Sequence, residues 1–303
     1  MTCSKFFSFL LVFSFAFSNF YVSAQADTDL EKMLEKDTKP QKEYIKNAFK
    51  SSRVINGHSM EFTGKGVLDF RILHRFGPIN GGLRELFGLD QASMRMGFDY
   101  GVTKNLTLGV GRSTFNKELD GFVKYRIAHQ HIGLKPIPVS IVWISGITMN
   151  TTKIKEPKIN TIPYRIGYYH QVIVGRKFGE AFTLQLSPTF VHRNLVDLAI
   201  EKNDMIAMGV GARIKISNRS AFIVDTYPII SGGREGYNMF PLSLGFDVET
   251  GGHVFQFHVS NARGMNEKSF ITETTQDWSK GQVQLGFNLS RVFTVVKNTE
   301  SSW

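Results

Sequence analysis

Between Met205 and Ile230 the chain alternates for longer than an ordinary strand. Ile206, Met208, Val210, Ala212, Ile214 and Ile216 share one parity, and Ala207, Gly209, Gly211, Arg213 and Lys215 take the other. A short loop at Ser217, Asn218 and Arg219 then places Phe222, Val224 and Thr226 on the apolar face of the next strand, with Ile223, Asp225 and Tyr227 opposite. Soluble strands run about five or six residues, whereas a strand tilted across a bilayer needs about nine to eleven. The second face is built of glycine, alanine and charge, which suits a wet or tightly filled lumen. The hairpin therefore predicts lipid on its apolar side, and a large soluble β-sandwich or lipocalin-like barrel is the competing architecture.

Twelve such strands are predicted, over 65–76, 93–102, 106–113, 120–128, 138–149, 164–177, 182–193, 204–216, 220–230, 240–249, 253–263 and 281–296. Their connections alternate between mostly long and mostly short, as an up-and-down barrel with two unlike rims requires. The predicted fold is all-β: an antiparallel transmembrane β-barrel of about 12 strands. Trp143, Tyr164, Tyr168, Phe182, Phe190, Phe240 and Phe293 fall near strand ends or on outward faces and are expected to form interfacial girdles.

The chain begins with Lys5 ahead of an apolar run from Phe6 to Phe20 and small residues before Ala24 and Ala26, the pattern of a secretory signal. The expected division is a signal peptide over 1–24, a periplasmic helical or linker extension over 25–60, a barrel over 61–297 and a tail over 298–303. In the extension, Leu30, Met33 and Leu34, and then Tyr44, Ile45, Ala48 and Phe49, recur at helical spacing and predict two short amphipathic helices. The only cysteine is Cys3, inside the signal, so the mature chain is expected to have no disulfide, thiol chemistry or cysteine metal site.

The formal net charge is +10. Residues 25–50 balance Asp27, Asp29, Glu31, Glu35, Asp37 and Glu43 against an equal number of lysines, so the excess belongs to the barrel. An exported chain without a basic cluster argues against nucleic acid, and anionic lipid or an anionic solute is the expected partner class. A periplasmic partner for 25–60 is a further expectation, and no cofactor is expected.

Several short signatures between Arg53 and Lys124 form a set: Arg53 with Asn56-Gly57-His58-Ser59, His74-Arg75-Phe76-Gly77, Phe87-Gly88-Leu89-Asp90, Gly109-Val110-Gly111-Arg112-Ser113, and Lys124. Together they resemble an uncharacterised family of outer-membrane β-barrel proteins from Bacteroidota, catalogued as a domain of unknown function. The resemblance implies an outer-membrane location and a barrel fold. It brings no catalytic residue.

The polar faces predict a lumen lined by Arg71, Arg75, Arg95, Lys124, Arg126, Arg165, Lys177, Arg193, Arg213 and Lys215, with Asp69, Asp99, Asp225, Asp247 and Glu249 as the acids. Two readings stay open. In one, the basic strands face acids on the ninth and tenth strands across a pore, giving a passive or facilitated channel for small anionic or amphiphilic solutes. In the other, the charges pair across a plugged lumen and the barrel is a non-conducting structural or partner-binding one.

The Phe87–Asp90 motif is expected to fold its loop toward the pore. Gly109-Val110-Gly111-Arg112 lies on a strand with no helix after it, so it is read as room for close approach and not as a phosphate loop. His129 and His131 lack a third metal ligand, and a solvated turn is expected there. Ser59 with His58, and Ser187 with His192, have the wrong strand parity for a nucleophile and base. A membrane-embedded hydrolase is thus a third and disfavoured class, and no enzyme activity is expected. Lys153, Lys155 and Lys158 in the third outer loop are open between a surface-polysaccharide contact and plain solvation.

Overall fold

A computed structural model describes residues 41–152, 161–196, 200–234, 236–250 and 253–296. Twelve antiparallel strands form the wall: β1 (Val67–Pro78), β2 (Ala92–Thr103), β3 (Leu106–Ser113), β4 (Glu118–Ala128), β5 (Ser140–Asn150), β6 (Ile166–Phe178), β7 (Phe182–Arg193), β8 (Asp204–Lys215), β9 (Ser220–Thr226), β10 (Leu242–Thr250), β11 (His253–Ser260) and β12 (Gln284–Thr294). Each pairs with its sequence neighbours, and β12 closes onto β1 with Arg291 opposite Phe70. Closure leaves no sheet edge to satisfy, which is what a β structure in lipid needs. With its short extension Ile229–Ser231 counted into β9, every strand lies within three residues of its predicted bounds.

The founding hairpin has the predicted register. Ile214 faces Phe222, Ala212 faces Val224, and Val210 faces Thr226 on the outward side. Ala207, Arg213, Ala221, Ile223 and Asp225 are buried inside. Pro228 interrupts the ninth strand because it has no N–H to give; the ladder resumes in the same register with Ala207 opposite Ile229 and shifts by one residue only beyond it, where Ile206 faces Ser231. The seven predicted girdle aromatics are all solvent-exposed, as side chains meant for lipid would be in an isolated chain.

The inner wall is polar. Ser93, Thr107, Ser113, Gln171, Thr183, Gln185, Ser187, Thr189, Ser243, Gln256 and Ser260 are buried along it. What buries them is the chain itself. Residues 48–63 enter from the rim of short turns, reverse at 54–57, and return to begin β1 at Val67. Val54 N donates to Gly57 O at 2.8 Å, Ser59 N donates to Ser52 O at 3.0 Å, and Arg53 and His58 form a single bridge. From the other rim, the long β11–β12 connection brings α1 (Glu267–Thr272) inward, capped by Asn266, which accepts from Ser269 N at 2.9 Å. Phe49, Val54, Ile55, Tyr227, Phe270 and Ile271 join one buried apolar cluster.

Several expectations are corrected here. The helix predicted past Pro40 is absent: Lys42–Tyr44 is a short strand pairing with His131–Gly133, and the chain beyond it is irregular. Its apolar residues at helical spacing serve a different end, since Ala48 and Phe49 pack inside the barrel. Residues 48–60 therefore lie in the lumen and not in a periplasmic extension. The 79–91 loop does not fold into the pore, because Leu83, Leu86, Phe87 and Leu89 are exposed. In that motif Gly88, at φ +87°, packs its backbone on Gly77, where a Cβ would lie 2.2 Å from Gly77 O. Arg165 sits in a helical turn ahead of β6 and donates to Asn150 O at 3.1 Å. The signal, the first predicted helix, Lys153, Lys155, Lys158 and the tail from 298 lie outside the described residues.

Candidate functional site

The site is the contact between the re-entrant hairpin and the wall. An Asn-Gly turn aims three successive N–H groups the same way, which makes an anion-binding concavity. Here Asp225 on β9 fills it: its Oδ2 accepts from Ile55 N at 3.2 Å, Asn56 N at 2.7 Å and Gly57 N at 3.0 Å. Asn56 is held on its other atoms as well, donating from Nδ2 to Ser243 Oγ at 2.9 Å and accepting at Oδ1 from Arg75 Nη2 at 2.7 Å. Gly57 cannot be larger, since a Cβ there would meet Tyr227 Oη at 1.8 Å.

The rest of the hairpin is bound through its backbone by wall side chains. Gln185 accepts from Met60 N at 3.0 Å and donates to His58 O at 2.7 Å. Asn288 donates to Ile55 O at 2.9 Å. Lys124 Nζ donates to Glu61 O at 2.6 Å and Ser52 O at 3.3 Å. Arg71 donates to Ser51 Oγ at 2.9 Å. The two inserts also meet each other: Arg53 Nη1 lies 3.0 Å from Glu267 Oε1, with both side chains almost fully buried.

Ten of the fifteen residues predicted for the lumen divide by depth. Arg71, Arg75, Arg95, Lys124, Asp225 and Asp247 are buried beside the inserts. Arg126, Arg213, Lys215 and Glu249 stand nearer the short-turn rim. Most of the charges expected to face one another across the pore are taken up locally. Arg71 is paired with Asp69 and, at 3.2 Å, with Asp99. Arg95 makes a fork with Asp120 at 2.8 and 2.5 Å. Asp225 is taken up by the hairpin backbone, and Asp247 accepts from Gln256 at 2.7 Å. The cavity between hairpin and wall, lined by Ser51, Arg53, Arg71, Gln256, Asn288 and others, holds about 10 Å³, room for one water.

Glu118, Asp120, Asn266 and Glu267 belong to this site and were not foreseen. Glu118 accepts from Asn266 Nδ2 at 2.8 Å, from Lys268 at 2.6 Å and from Ser269. Parity could have found the first two, since 118 and 120 share the inward register of Phe122 and Lys124. Nothing local marks Asn266 and Glu267 as lumenal. As predicted, the glycines of β3 admit bulk: a Cβ on Gly109 would strike Phe122, and one on Gly111 would strike the Arg95 guanidinium, each at 2.2 Å.

At the short-turn rim a wide vestibule of about 1660 Å³ opens. His129 and His131 are not a solvated pair there. They grip the entering chain, with ring centroids 5.0 and 5.3 Å from Tyr44 and His129 Nε2 2.9 Å from Ile45 O. Burial, then the Arg126 charge, lowers the His129 pKa to about 4, so the ring is neutral at pH 7. Among the described residues no group of three or more His, Cys, Asp or Glu could hold a metal. The Ser59 hydroxyl donates to Ser51 O at 2.6 Å and His58 faces Arg53 and Glu267, while His192 pairs with Asp204 and Ser187 with Gln185. Neither suspected nucleophile meets its histidine.

A family model for a membrane bound beta barrel domain (DUF5777) matches residues 49–293, a span that takes in the hairpin together with all but the end of β12. No curated protein matches in sequence. Similar solved structures include the NanC porin, 9% identical over 74% of this chain and 98% of that one, at a TM-score of 0.46. An outer membrane channel from Pseudomonas putida F1 is 13% identical over 77% and 97%, at 0.45. The toluene transporter TbuX of Ralstonia pickettii is 11% identical over 80% and 96%, at 0.35.

Proposed function

Because the chain belongs to the family of membrane-bound β-barrel domains, we propose that it is a gated outer-membrane channel for small anionic solutes, closed at rest by its own hairpin. One observation carries the reading: polar side chains of the wall hold the hairpin by its backbone, some accepting from its N–H groups and some donating to its carbonyls. Such bonds exchange with water at a modest net cost of about 0.5–1.5 kcal/mol each, whereas an apolar interface has no such substitute. With the hairpin withdrawn, the serines, threonines and glutamines of the wall would line a wettable path, and Arg75 and Lys124 would lose hairpin acceptors and favour anions. The short-turn rim, by which the hairpin enters, faces the periplasm in such barrels. No covalent step belongs to this reading.

A second reading, a permanently closed barrel, draws on the buried Arg53–Glu267 pair and the apolar cluster around Phe270, which tie the two inserts together. Reversal potentials under a salt gradient separate the two, measured in Gly57→Ala, where Tyr227 blocks seating of the turn. A gated channel gives anion-preferring openings in that variant. A folded variant that never conducts refutes the channel and leaves the closed barrel.

A further inference from the structure

The buried arginines differ in what they are given to hold: Arg75 lacks a carboxylate but places its Nη groups on His74 O, Asn288 Oδ1 and Asn56 Oδ1. Arg53, Arg71 and Arg95 each have a carboxylate partner. Arg213 is only 3% exposed, lines the vestibule, and finds no hydrogen-bond or ion-pair partner among the described residues, its Nε included. Arg126 lines the same cavity and has no carboxylate either. Its guanidinium carbon lies 4.2 Å from the Phe62 ring centroid and its Nη1 is 3.2 Å from Lys104 O and 3.4 Å from His129 Nδ1, while its Nε is unpartnered.

Burying a guanidinium without an acceptor is costly, so a buried one left open toward a cavity marks a place for an oxyanion. Around these two stand Lys42, Lys46, Lys104 and Lys215. The acids nearby are already engaged: Glu249 pairs with Lys50, and Glu180 lies 3.0 Å from Lys177 and 4.0 Å from Lys215. Glu43 is the remaining acid of the lining, and two acids outside it, Asp247 and Glu61, act on Arg213 from beyond ion-pair distance while accepting from Gln256 and from Ala48 N. The cavity exceeds the roughly 300–1,000 Å³ of an ordinary small-molecule pocket.

We propose that the vestibule is a binding site for a polyvalent oxyanion, carrying several phosphate or carboxylate groups, with Arg126 and Arg213 as its two guanidinium anchors. The planar fork of each suits bidentate capture, and the Phe62 ring under Arg126 holds one of them in place. The site is complete with the hairpin seated, because Lys42, Lys46 and Lys50 come from the entering chain itself. The inference therefore stands apart from gating.

The test is calorimetric titration of the full-length barrel in detergent with inorganic tripolyphosphate, with citrate, and with neutral maltose. The expected result is saturable binding of one or both anions and none of maltose. Arg126→Gln with Arg213→Gln should weaken binding at least tenfold, and exposed Arg84→Gln on the opposite rim should leave it unchanged. Should the double variant fail to fold, Lys42→Gln with Lys46→Gln, both exposed, should weaken binding about threefold. Preference for tripolyphosphate or citrate assigns the phosphate or carboxylate class. Non-saturable heats, or equal binding by the vestibule variants and Arg84→Gln, would overturn the proposal. Protein that binds while electrically silent separates this site from the channel reading.

Discussion

Asp225→Ala is the sharpest perturbation of the closed state. The carboxylate is buried and one of its oxygens takes three backbone N–H groups of the hairpin turn at 2.7–3.2 Å. Truncation leaves three buried donors without an acceptor, each costing about 1–3 kcal/mol, and water entering the vacated space recovers part of this. Taking the low end of each, the hairpin loses about 3 kcal/mol relative to its withdrawn state, roughly a 100-fold gain in the open population. The only native cysteine is Cys3, so Ser59→Cys provides a clean reporter at a fully buried hairpin position. Labelling of that thiol by a water-soluble maleimide should accelerate about 100-fold in the Asp225→Ala background, and Asp225→Asn, which keeps one acceptor oxygen, should fall between. An unchanged labelling rate in folded Asp225→Ala would refute the view that this contact holds the plug.

Other substitutions address separate parts of the account. Glu267→Gln leaves Arg53 buried against a neutral partner, and breaking such a pair costs about 3–5 kcal/mol, so thermal unfolding should begin at a distinctly lower temperature. Val110→Arg, on the outward face of β3, should cost about 2–4 kcal/mol in urea-dependent folding into bilayers, against little effect in detergent-solubilised protein. The His129 clamp carries a pH dependence. Its folded pKa of about 4 lies below the unfolded value near 6.5, so its stabilising contribution is complete above pH 6.5 and is lost as pH falls through 4. Protonation places a second donor beside Arg126 and His131 and ends acceptance at Nδ1, so proteolysis near Tyr44 should speed up between pH 6.5 and 4 and lose that response in His129→Gln.

The wall was legible because its signal is local. Side chains of a strand alternate with a period of two, and a one-residue slip would turn Arg213 and Asp225 into lipid, so the pattern in 205–230 determined both faces and register. The plug was not legible, because its reasons are distant. Arg53, Asn56 and Gly57 read as a polar turn in a linker until Asp225, Arg75 and Glu267, some 20 to 210 residues away, supply their partners. The helical spacing of Tyr44, Ile45, Ala48 and Phe49 misled for the same reason: their burial comes from the barrel interior and not from a helix face. The quoted signatures of the first third do converge, since Arg53, Asn56, Gly57, Arg75 and Lys124 all lie where hairpin meets wall.

The central claim is that the barrel is shut by its own chain, and single-channel recording of the intact, folded protein in a planar bilayer tests it most directly. The account predicts a silent bilayer at low voltage with the native chain, and anion-preferring openings once Asp225→Ala or Gly57→Ala loosens the hairpin. Steady openings of the native protein at low voltage would contradict it.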